Sequence, residues 1–256
     1  MSSQSDASRP APALVPRLPR LVEVRQNVLK HNDVVARALR ERFQRGGVFV
    51  VSLVSGPGSG KTTFLEKTLT LLRPRYRVAA LVGDLATEND ALRLARSQAP
   101  VKQITTGTLC HLEAAMIENA VEGWDIGQLD FLFIENVGNL VCPSSYDLGE
   151  NLRLVLISVT EGEDKPLKYP TIFNSADVAV ITKMDLAAAA EFDSTAADRN
   201  IQAVRPGMRV LRVSAKTNEG MNDWLRLLST LRDSPQAPPG GPYERRQRID
   251  NGDDHP

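Results

Sequence analysis

The stretch "GGVFVVSLVSGPGSGKTTFLEKTLTLL" restricts the possible fold more than any other part of the sequence. It places a β-branched apolar run, typical of a buried strand, directly before a glycine-rich loop and a helical segment. Glycines at such a position let backbone N–H groups wrap around phosphate oxygens, and the helix N-terminus adds partial positive charge. The stretch therefore predicts a strand–loop–helix unit that binds the phosphates of a nucleotide.

Strands and helices alternate along the rest of the chain. Six further apolar runs predict strands: "YRVAALVGD", "VKQITTG", "LDFLFIENVG", "LRLVLISVTEG", "ADVAVITKMD" and "MRVLRVSAK". The segments "TTFLEKTLTLL", "ENDALRLARSQ" and "HLEAAMIENAVE" predict helices between several of them. This alternation implies right-handed crossovers and an α/β fold, in which a mostly parallel sheet has helices on both faces. Ligands in such folds bind beyond the carboxyl ends of the strands, so the residues after each run are the candidates.

The loop "SGPGSGKTT" supplies the expected phosphate contacts. Lys61 is expected to reach the β- and γ-phosphates, and the Thr62 hydroxyl is expected to hold Mg²⁺. The strict P-loop pattern has glycine where this chain has Ser55, and the neighbouring glycines compensate for it. The alternative is a glycine-rich turn without a ligand. The residues assigned to the nucleotide phosphates are Gly56, Pro57, Gly58, Ser59, Gly60, Lys61, Thr62 and Thr63.

Two segments near the end of the domain predict guanine as the base. Asp185 in "ITKMDL" follows a predicted buried strand, where its carboxylate can accept two hydrogen bonds from guanine. Adenine offers no matching pair of donors, so GTP is favoured over ATP. The segment "VSAK" resembles the loop that closes over the base in GTPases, and Thr182 stands where asparagine is commoner. The residues assigned to the base are Thr182, Lys183, Asp185, Ser214, Ala215 and Lys216.

Two predicted strands end in acids. Asp84 in "LVGDLATEND" and Glu135 in "FIENVG" are expected to point towards the γ-phosphate and to orient the Mg²⁺ shell and the attacking water. Together with Lys61 they are the predicted catalytic residues, and Asp84 is a predicted Mg²⁺ ligand beside Thr62. The alternative is that either acid only caps the following turn. Because no obvious glutamine or arginine finger is present, intrinsic hydrolysis is expected to be slow.

The chain has two cysteines and three histidines, and Cys110 and His111 are adjacent in "TTGTLCHLEAAM", where a helix is predicted to open. Cys142 lies in "IENVGNLVCPSSYD", in the loop expected to respond to the γ-phosphate. If the two preceding strands are neighbours in the sheet, all three side chains converge. Thiolates and imidazole suit Zn²⁺ and Ni²⁺, and water or a second protomer would supply the missing tetrahedral ligand. The alternative is that all three are ordinary packing residues.

Composition limits the cellular compartment and the kinds of binding partner that are expected. The formal net charge is zero, which gives no electrostatic case for nucleic acid or a membrane surface. No apolar run is long enough to span a bilayer, and the N-terminus lacks the apolar core of a signal peptide. With few cysteines and no export signal, a reducing cytoplasm is expected. The predicted organisation is a disordered tail over 1–19, an amphipathic helix over 20–45, a G domain with an embedded metal site over 46–232, and a disordered tail over 233–256.

The blocks "SGPGSGKTT", "GDLATENDA", "TTGTLCHLEAAM", "IENVGNLVCP" and "SVTEGEDKPLKYPTIF" together resemble the HypB family of nickel-insertion GTPases in hydrogenase maturation. The resemblance runs from about Leu21 to Leu231. It implies a P-loop GTPase domain of the SIMIBI class, shared with signal-recognition-particle GTPases, and a homodimer when GTP is bound. It also implies a metal site at the dimer interface, whose ligands match Cys110, His111 and Cys142.

The resemblance further implies a function: a GTP-hydrolysing metallochaperone that binds nickel or zinc and assists nickel insertion into the hydrogenase large subunit. A nickel-donating accessory protein is an implied second partner. Some family members carry an N-terminal cysteine-rich motif or a histidine-rich tract, but no cysteine precedes Cys110 here, so N-terminal nickel capture is not expected. The family usually has Ser where this chain has Gly56. Lys165, in a charged loop, is either solvated or a cation that reaches a phosphate across the dimer.

Three other interpretations remain open. The related urease nickel-insertion GTPase would carry a Cys-Pro-His arrangement, whereas Cys142-Pro143 is followed here by Ser144. A P-loop kinase for a small metabolite is disfavoured by the predicted guanine recognition and by the lack of an arginine-rich lid. A non-enzymatic metal-buffering or docking protein would bind nucleotide without turnover, and a hydrolysis measurement would separate it.

Overall fold

The computed structural model describes residues 20–84 and 89–234, with side chains from residue 26 onward. The predicted tail over 1–19 lies outside the described residues, as do residues 85–88, which follow Asp84. Of the predicted tail over 233–256, only the first two residues are described, and the first of them ends the last helix.

All seven runs predicted as strands form strands, and the seven strands make one parallel sheet in the order β3-β2-β4-β1-β5-β6-β7. Several strands, such as β1 and β5, are buried along their whole length, as expected for a parallel sheet covered on both faces. The predicted fold class is confirmed. The strands are β1 (Phe49–Ser55), β2 (Val78–Asp84), β3 (Val101–Thr105), β4 (Phe131–Glu135), β5 (Leu152–Ser158), β6 (Val178–Thr182) and β7 (Arg209–Arg212).

Helices cover both faces of the sheet. On one face, Phe64, Leu94 and Trp224 pack with the residues of β1 that point to that side. On the other face, Phe43 and Ile117 contribute to the core together with alternate residues of the same strands. The helices are α1 (Arg20–Gly46), α2 (Lys61–Leu72), α3 (Asn89–Ala95), α4 (Ala114–Ala120), α5 (Lys165–Lys168), α6 (Pro170–Asn174), α7 (Ser194–Val204) and α8 (Met221–Asp233).

Helix α1 covers the segment predicted as an amphipathic helix and packs with its apolar side on the sheet. Ala36, Leu39 and Phe43 are almost fully buried, whereas Val28 and Val34 on the same helix are exposed. Within residues 20–84 and 89–234, no helix has the length and apolarity needed to cross a membrane.

The strand order brings the candidate site residues to one end of the sheet. Strands β2, β4 and β1 are adjacent, and they end at Asp84, Glu135 and Ser55. Because all three strands are parallel, their carboxyl ends open onto the same side of the domain. The phosphate loop, both candidate acids and the loops that carry the cysteines therefore share that side.

Candidate nucleotide and metal site

The phosphate loop connects β1 to α2, and Lys61 begins the helix. The Lys61 side chain is buried, and its Nζ donates a 2.9 Å hydrogen bond to Oγ of Ser55. Burial lowers the pKa of Lys61, and the charge of Glu135 opposes this shift. The lysine that is predicted to reach the β- and γ-phosphates is thus held inside the loop.

Ser55 makes several hydrogen bonds within the phosphate loop, although the strict P-loop pattern has glycine at its position. Its hydroxyl accepts from Lys61, donates to the carbonyl oxygen of Gly56 at 2.7 Å and lies in hydrogen-bonding contact with the Ser59 hydroxyl. Glycine in its place would lose all three contacts. In the sequence Ser55 is visible only as a departure from the P-loop pattern, and the local pattern gives no signal for these contacts.

Glu135 lies directly against the first turn of α2. The Thr62 hydroxyl donates a 2.7 Å hydrogen bond to Oε1 of Glu135. Burial raises the pKa of the Glu135 carboxyl to about 7, although the Lys61 charge and the Thr62 hydrogen bond both lower it. Its second oxygen, Oε2, has no hydrogen-bond partner among the described residues. A hydroxyl beside a carboxylate with a free oxygen is a donor set that fits Mg²⁺.

Asp84 ends the neighbouring strand and is half-buried. Its backbone carbonyl oxygen accepts a 2.9 Å hydrogen bond from the Thr106 N–H, which joins the ends of β2 and β3. Asp84 is the predicted Mg²⁺ ligand beside Thr62, and Glu135 is the acid whose carboxylate contacts the Thr62 hydroxyl. Both acids lie at the same end of the sheet, so both are candidates for the metal shell.

The segments assigned to the base converge on the phosphate loop. Oγ of Ser214 donates to Oδ1 of Asp185 at 2.7 Å, and the exposed Lys216 Nζ lies 3.9 Å from Asp185 Oδ2. Ala215 lies between these two residues in the same loop. The contact orients the Asp185 carboxylate, as guanine recognition would require.

Two residues of the first base segment contact the phosphate loop directly. The Thr182 hydroxyl donates to the Ser59 carbonyl oxygen at 2.5 Å, and Lys183 Nζ donates to the Gly58 carbonyl oxygen at 2.7 Å. Thr182, at the position where asparagine is commoner, thus ties the end of β6 to the phosphate loop. Of the loop residues, Pro57 lies against Gly138, and the Thr63 hydroxyl accepts from Arg93.

Cys110, His111 and Cys142 converge as predicted for a metal site. Their candidate ligand atoms lie within 4.8 Å of one another. The two Sγ atoms are 2.8 Å apart, and Cys110 Sγ lies 3.9 Å from His111 Nδ1. Both cysteines are free and half-buried, and His111 is buried. Two sulfur donors and one imidazole at this separation form a ligand set suited to Zn²⁺ or Ni²⁺.

The electrostatics of the cluster favour the protonated thiol of Cys110 and the neutral imidazole of His111. The hydrogen bond with Cys142 raises the pKa of the Cys110 thiol, and burial adds to that shift. Burial lowers the pKa of His111, against the effect of Glu113, whose Oε1 lies 3.4 Å from Nε2. The ring of His111 also lies over that of Tyr146, with centroids 3.9 Å apart. A metal ion would therefore compete mainly with thiol protons.

The route by which these ligands meet differs from the expected one. Strands β3 and β4 are not neighbours, because β2 lies between them and pairs with both. The loop after β3 instead crosses the end of β2, where Leu112 packs on Gly83: a Cβ added at Gly83 would lie 2.7 Å from Leu112 Cγ. The Cys110–His111 pair also lies in this loop and not in the helix, which begins at Ala114.

The segment after β4 connects the nucleotide site to the metal cluster. It leaves Glu135, passes over the phosphate loop and reaches Cys142. A Cβ added at Gly138 would lie 3.1 Å from Cα of Pro57, and one added at Gly56 would lie 3.5 Å from Leu140. The two candidate sites therefore share one short piece of backbone.

A buried arginine supports the loop that follows Cys142. Arg153 in β5 is fully buried, and its guanidinium donates to Glu150 Oε1 at 2.8 Å. It also donates to the carbonyl oxygens of Pro143 at 3.3 Å and Tyr146 at 2.5 Å. Arg153 was not among the predicted functional residues, although a charged residue inside the apolar run "LRLVLIS" is a signal for a buried polar contact.

A phosphate loop, a base loop and a Cys/His cluster at one end of a parallel sheet define a P-loop nucleotide-binding protein with an associated candidate metal site. The family model described as "CobW/HypB/UreG, nucleotide-binding domain" matches residues 49–212. Within that group the chain belongs to the HypB family of hydrogenase maturation factors, as its sequence blocks indicated.

Individual relatives agree with this assignment. The hydrogenase maturation factor HypB of Azotobacter chroococcum mcd 1 is 46% identical over 228 residues, which cover 87% of this chain and 74% of the relative. The crystal structure of HypB from Helicobacter pylori in complex with nickel superposes with a TM-score of 0.74 at 41% identity, covering 80% of this chain and 99% of that chain. HypB from Archaeoglobus fulgidus gives a TM-score of 0.74 at 35% identity, covering 80% and 100%.

Proposed function

We propose that this protein is a GTP-hydrolysing metallochaperone that carries nickel, or zinc, at Cys110, His111 and Cys142. Its task is to assist nickel insertion into the large subunit of a hydrogenase during maturation. The observation that carries the proposal is the segment from Glu135 to Cys142, which contacts Pro57 in the phosphate loop and ends in a metal ligand. One piece of backbone thus senses nucleotide and holds metal.

In this proposal the nucleotide is GTP. Asp185 accepts hydrogen bonds from guanine, and Lys61 binds the β- and γ-phosphates. Thr62 and Asp84 would hold Mg²⁺, with Glu135 as a further candidate ligand beside Thr62, and the ion when bound would neutralise phosphate charge during transfer. Asp84 and Glu135 orient the attacking water. Intrinsic hydrolysis is expected to be slow in this proposal, because the sequence offers no obvious glutamine or arginine finger.

The metal is cargo and not a permanent structural ion. Three ligands leave one tetrahedral position, and an incompletely enclosed site releases metal more readily than a closed one. We infer that a second copy of the chain completes the site in a GTP-bound homodimer. A nickel-donating accessory protein would load it in the cytoplasm, where reducing conditions keep both thiols available.

The first test is a titration of Ni²⁺ and of Zn²⁺ into the purified protein, once with GDP and once with a non-hydrolysable GTP analogue. Cys142→Ala is measured in parallel. The proposal expects metal affinity or stoichiometry to differ between the nucleotides and expects the difference to disappear in the variant. If metal binding is equal in both nucleotide states and is unaffected by the substitution, the proposed metallochaperone function is wrong. The chain would then be a nucleotide-binding protein without a known cargo.

A second measurement separates an enzyme from a passive binder. GTP hydrolysis is followed at protein concentrations that favour the dimer, with Lys61→Ala as the inactive control. Slow turnover that disappears in the control supports the proposed GTPase. If GTP binds but no phosphate is released at any protein concentration, the chain is a nucleotide-dependent docking or buffering protein.

A further inference from the structure

Asn136 is a buried residue that lies between the candidate nucleotide and metal sites. It follows Glu135 directly and is only 1% exposed. Its Oδ1 accepts two hydrogen bonds, from the N–H of Val137 at 2.9 Å and from the N–H of Leu112 at 3.0 Å. Since two donors converge on this atom, it is the oxygen and not the nitrogen of the amide. Nδ2 has no partner among the described residues.

The bond to Leu112 reaches the other half of the metal cluster. Leu112 follows His111, is fully buried and packs on Gly83. The Asn136 side chain thus fixes the His111 segment to the end of β4. Asn139 adds a longer contact, 3.4 Å from Nδ2 to the carbonyl oxygen of Cys110. Both asparagines therefore join the segment after β4 to the segment that carries Cys110 and His111.

We propose that Asn136 is the positioning residue that couples nucleotide state to metal affinity. The inference rests on the function proposed above and adds the residue through which that function operates. Glu135 contacts Thr62, so nucleotide and Mg²⁺ act on the end of β4. A movement at the end of β4 shifts Cys142 directly, because both belong to the same segment of backbone. His111 lies in the loop after β3 and has no such backbone connection. The Asn136 oxygen makes His111 follow the same movement, so the ligands rearrange together.

The chain offers two informative substitutions at this position. Asn136→Ala removes the acceptor and releases Leu112, while all three metal ligands remain. Asn136→Asp keeps an oxygen where both N–H groups donate, and it replaces Nδ2, which has no described partner, with a second oxygen whose charge or proton is buried beside Glu135. The alanine variant is therefore expected to lose the coupling, and the aspartate variant is expected to keep it.

The experiment measures the Ni²⁺ dissociation constant of the full chain with GDP and with a non-hydrolysable GTP analogue, both saturating in the presence of Mg²⁺. The ratio of the two constants is the coupling factor, and such factors commonly lie at about 5–150. In Asn136→Ala the ratio is expected to fall to within about threefold of one, while Asn136→Asp stays within about threefold of the wild type.

Asn151→Ala is the matched control. Asn151 is also buried, and its Oδ1 accepts a 2.7 Å hydrogen bond from the N–H of Val50, at the opposite end of the sheet. This variant loses the same kind of contact and is expected to be destabilised to a similar extent, but to keep the wild-type ratio. A purely structural role for Asn136 predicts that both alanine variants behave alike.

The outcomes are distinct. A wild-type ratio in folded Asn136→Ala overturns the role of Asn136 and leaves the proposed function intact. Loss of the ratio in Asn136→Asp or in Asn151→Ala also overturns it, and the aspartate variant decides the matter if the alanine variant does not fold. A ratio of one in the wild type overturns both the proposed switch and the role of Asn136 within it.

Discussion

The hydroxyl of Thr62 lies 2.7 Å from Oε1 of Glu135, so the first turn of α2 and the end of β4 share a hydrogen bond inside the candidate nucleotide site. The carboxyl group is buried and faces the Lys61 ammonium group. This relationship places a titratable group with a pKa near neutrality where Mg²⁺ and the γ-phosphate are expected. Its protonation state therefore affects the chemistry at this site.

The rate of GTP hydrolysis is expected to fall as the pH is lowered through about 7. The pKa of Glu135 is raised to about 7, so below that pH the carboxyl becomes neutral and loses its affinity for Mg²⁺. The limiting slope of kcat/KM is about tenfold per pH unit, because kcat/KM reports the free enzyme. Glu135→Gln should be much less active and should lack this acidic limb. A wild-type profile that is flat between about pH 6 and 8 would contradict the assignment.

Base selectivity is expected to depend on Asp185. Asp185→Asn replaces a carboxylate that can accept two guanine hydrogen bonds, and GTP affinity should fall by about a hundredfold or more. Competition between GTP and xanthosine triphosphate measures the change, because an amide at this position pairs better with xanthine. Asp233→Asn is the matched control, since its ion pair with Arg232 is largely exposed at the last residue of α8 and contributes little. Unchanged GTP affinity in Asp185→Asn would place the base elsewhere.

Breaking the buried ion pair between Arg153 and Glu150 is expected to destabilise the domain strongly. Both side chains are 0% exposed, and Arg153→Met leaves the buried Glu150 carboxylate without the Arg153 guanidinium. The expected loss in the free energy of unfolding is about 3–5 kcal/mol, measured by urea denaturation. The double variant with Glu150→Gln should recover part of it, because the orphaned charge is then removed.

Lys168→Met is the control for that measurement, because its ion pair with Asp164 is exposed and should leave the urea midpoint nearly unchanged. Arg153→Met should also loosen the loop after Cys142, which loses the hydrogen bonds to Pro143 and Tyr146. A midpoint equal to that of the control would show that Arg153 does not anchor this loop.

Local sequence signals were sufficient for the fold class. The β-branched runs marked every strand, because strands buried on both faces need continuous apolar residues. The convergence of Cys110 with Cys142 was predicted, but from a neighbour relationship between β3 and β4 that does not exist. Strand order in a parallel sheet depends on long-range pairing, which a short pattern does not encode.

Three functionally placed residues were not predicted from the sequence. Each makes its hydrogen bonds either to a distant part of the chain or through a single side-chain atom. Asn136 reaches Leu112, a separation of 24 residues, and Arg153 reaches the loop after Cys142. Ser55 was read against a motif in which its position belongs to glycine, so its hydroxyl was ignored. In each case the residue type was visible in the sequence, but the partner was known only from the packed structure.

Substitutions at the two glycines that flank β7 test whether the close approach of α8 to β7 positions the base loop. Gly220, at the start of α8, and Gly207, in the turn before β7, both have positive φ, 69° and 78°. A Cβ at Gly220 would overlap the carbonyl oxygen of Arg212, whereas nothing lies within 4 Å of one at Gly207. Gly207→Ala is therefore expected to lose about 1–2 kcal/mol of stability from backbone strain alone. Gly220→Ala should lose about 3 kcal/mol or more, because β7 must also move away from the helix.

The same pair of variants tests nucleotide binding. Since the base loop over residues 214–216 follows the end of β7, Gly220→Ala should also weaken GTP binding, and Gly207→Ala should not. Urea denaturation and nucleotide titration measure the two effects, and equal losses in both variants would mean that the close approach of α8 to β7 does not position the base loop.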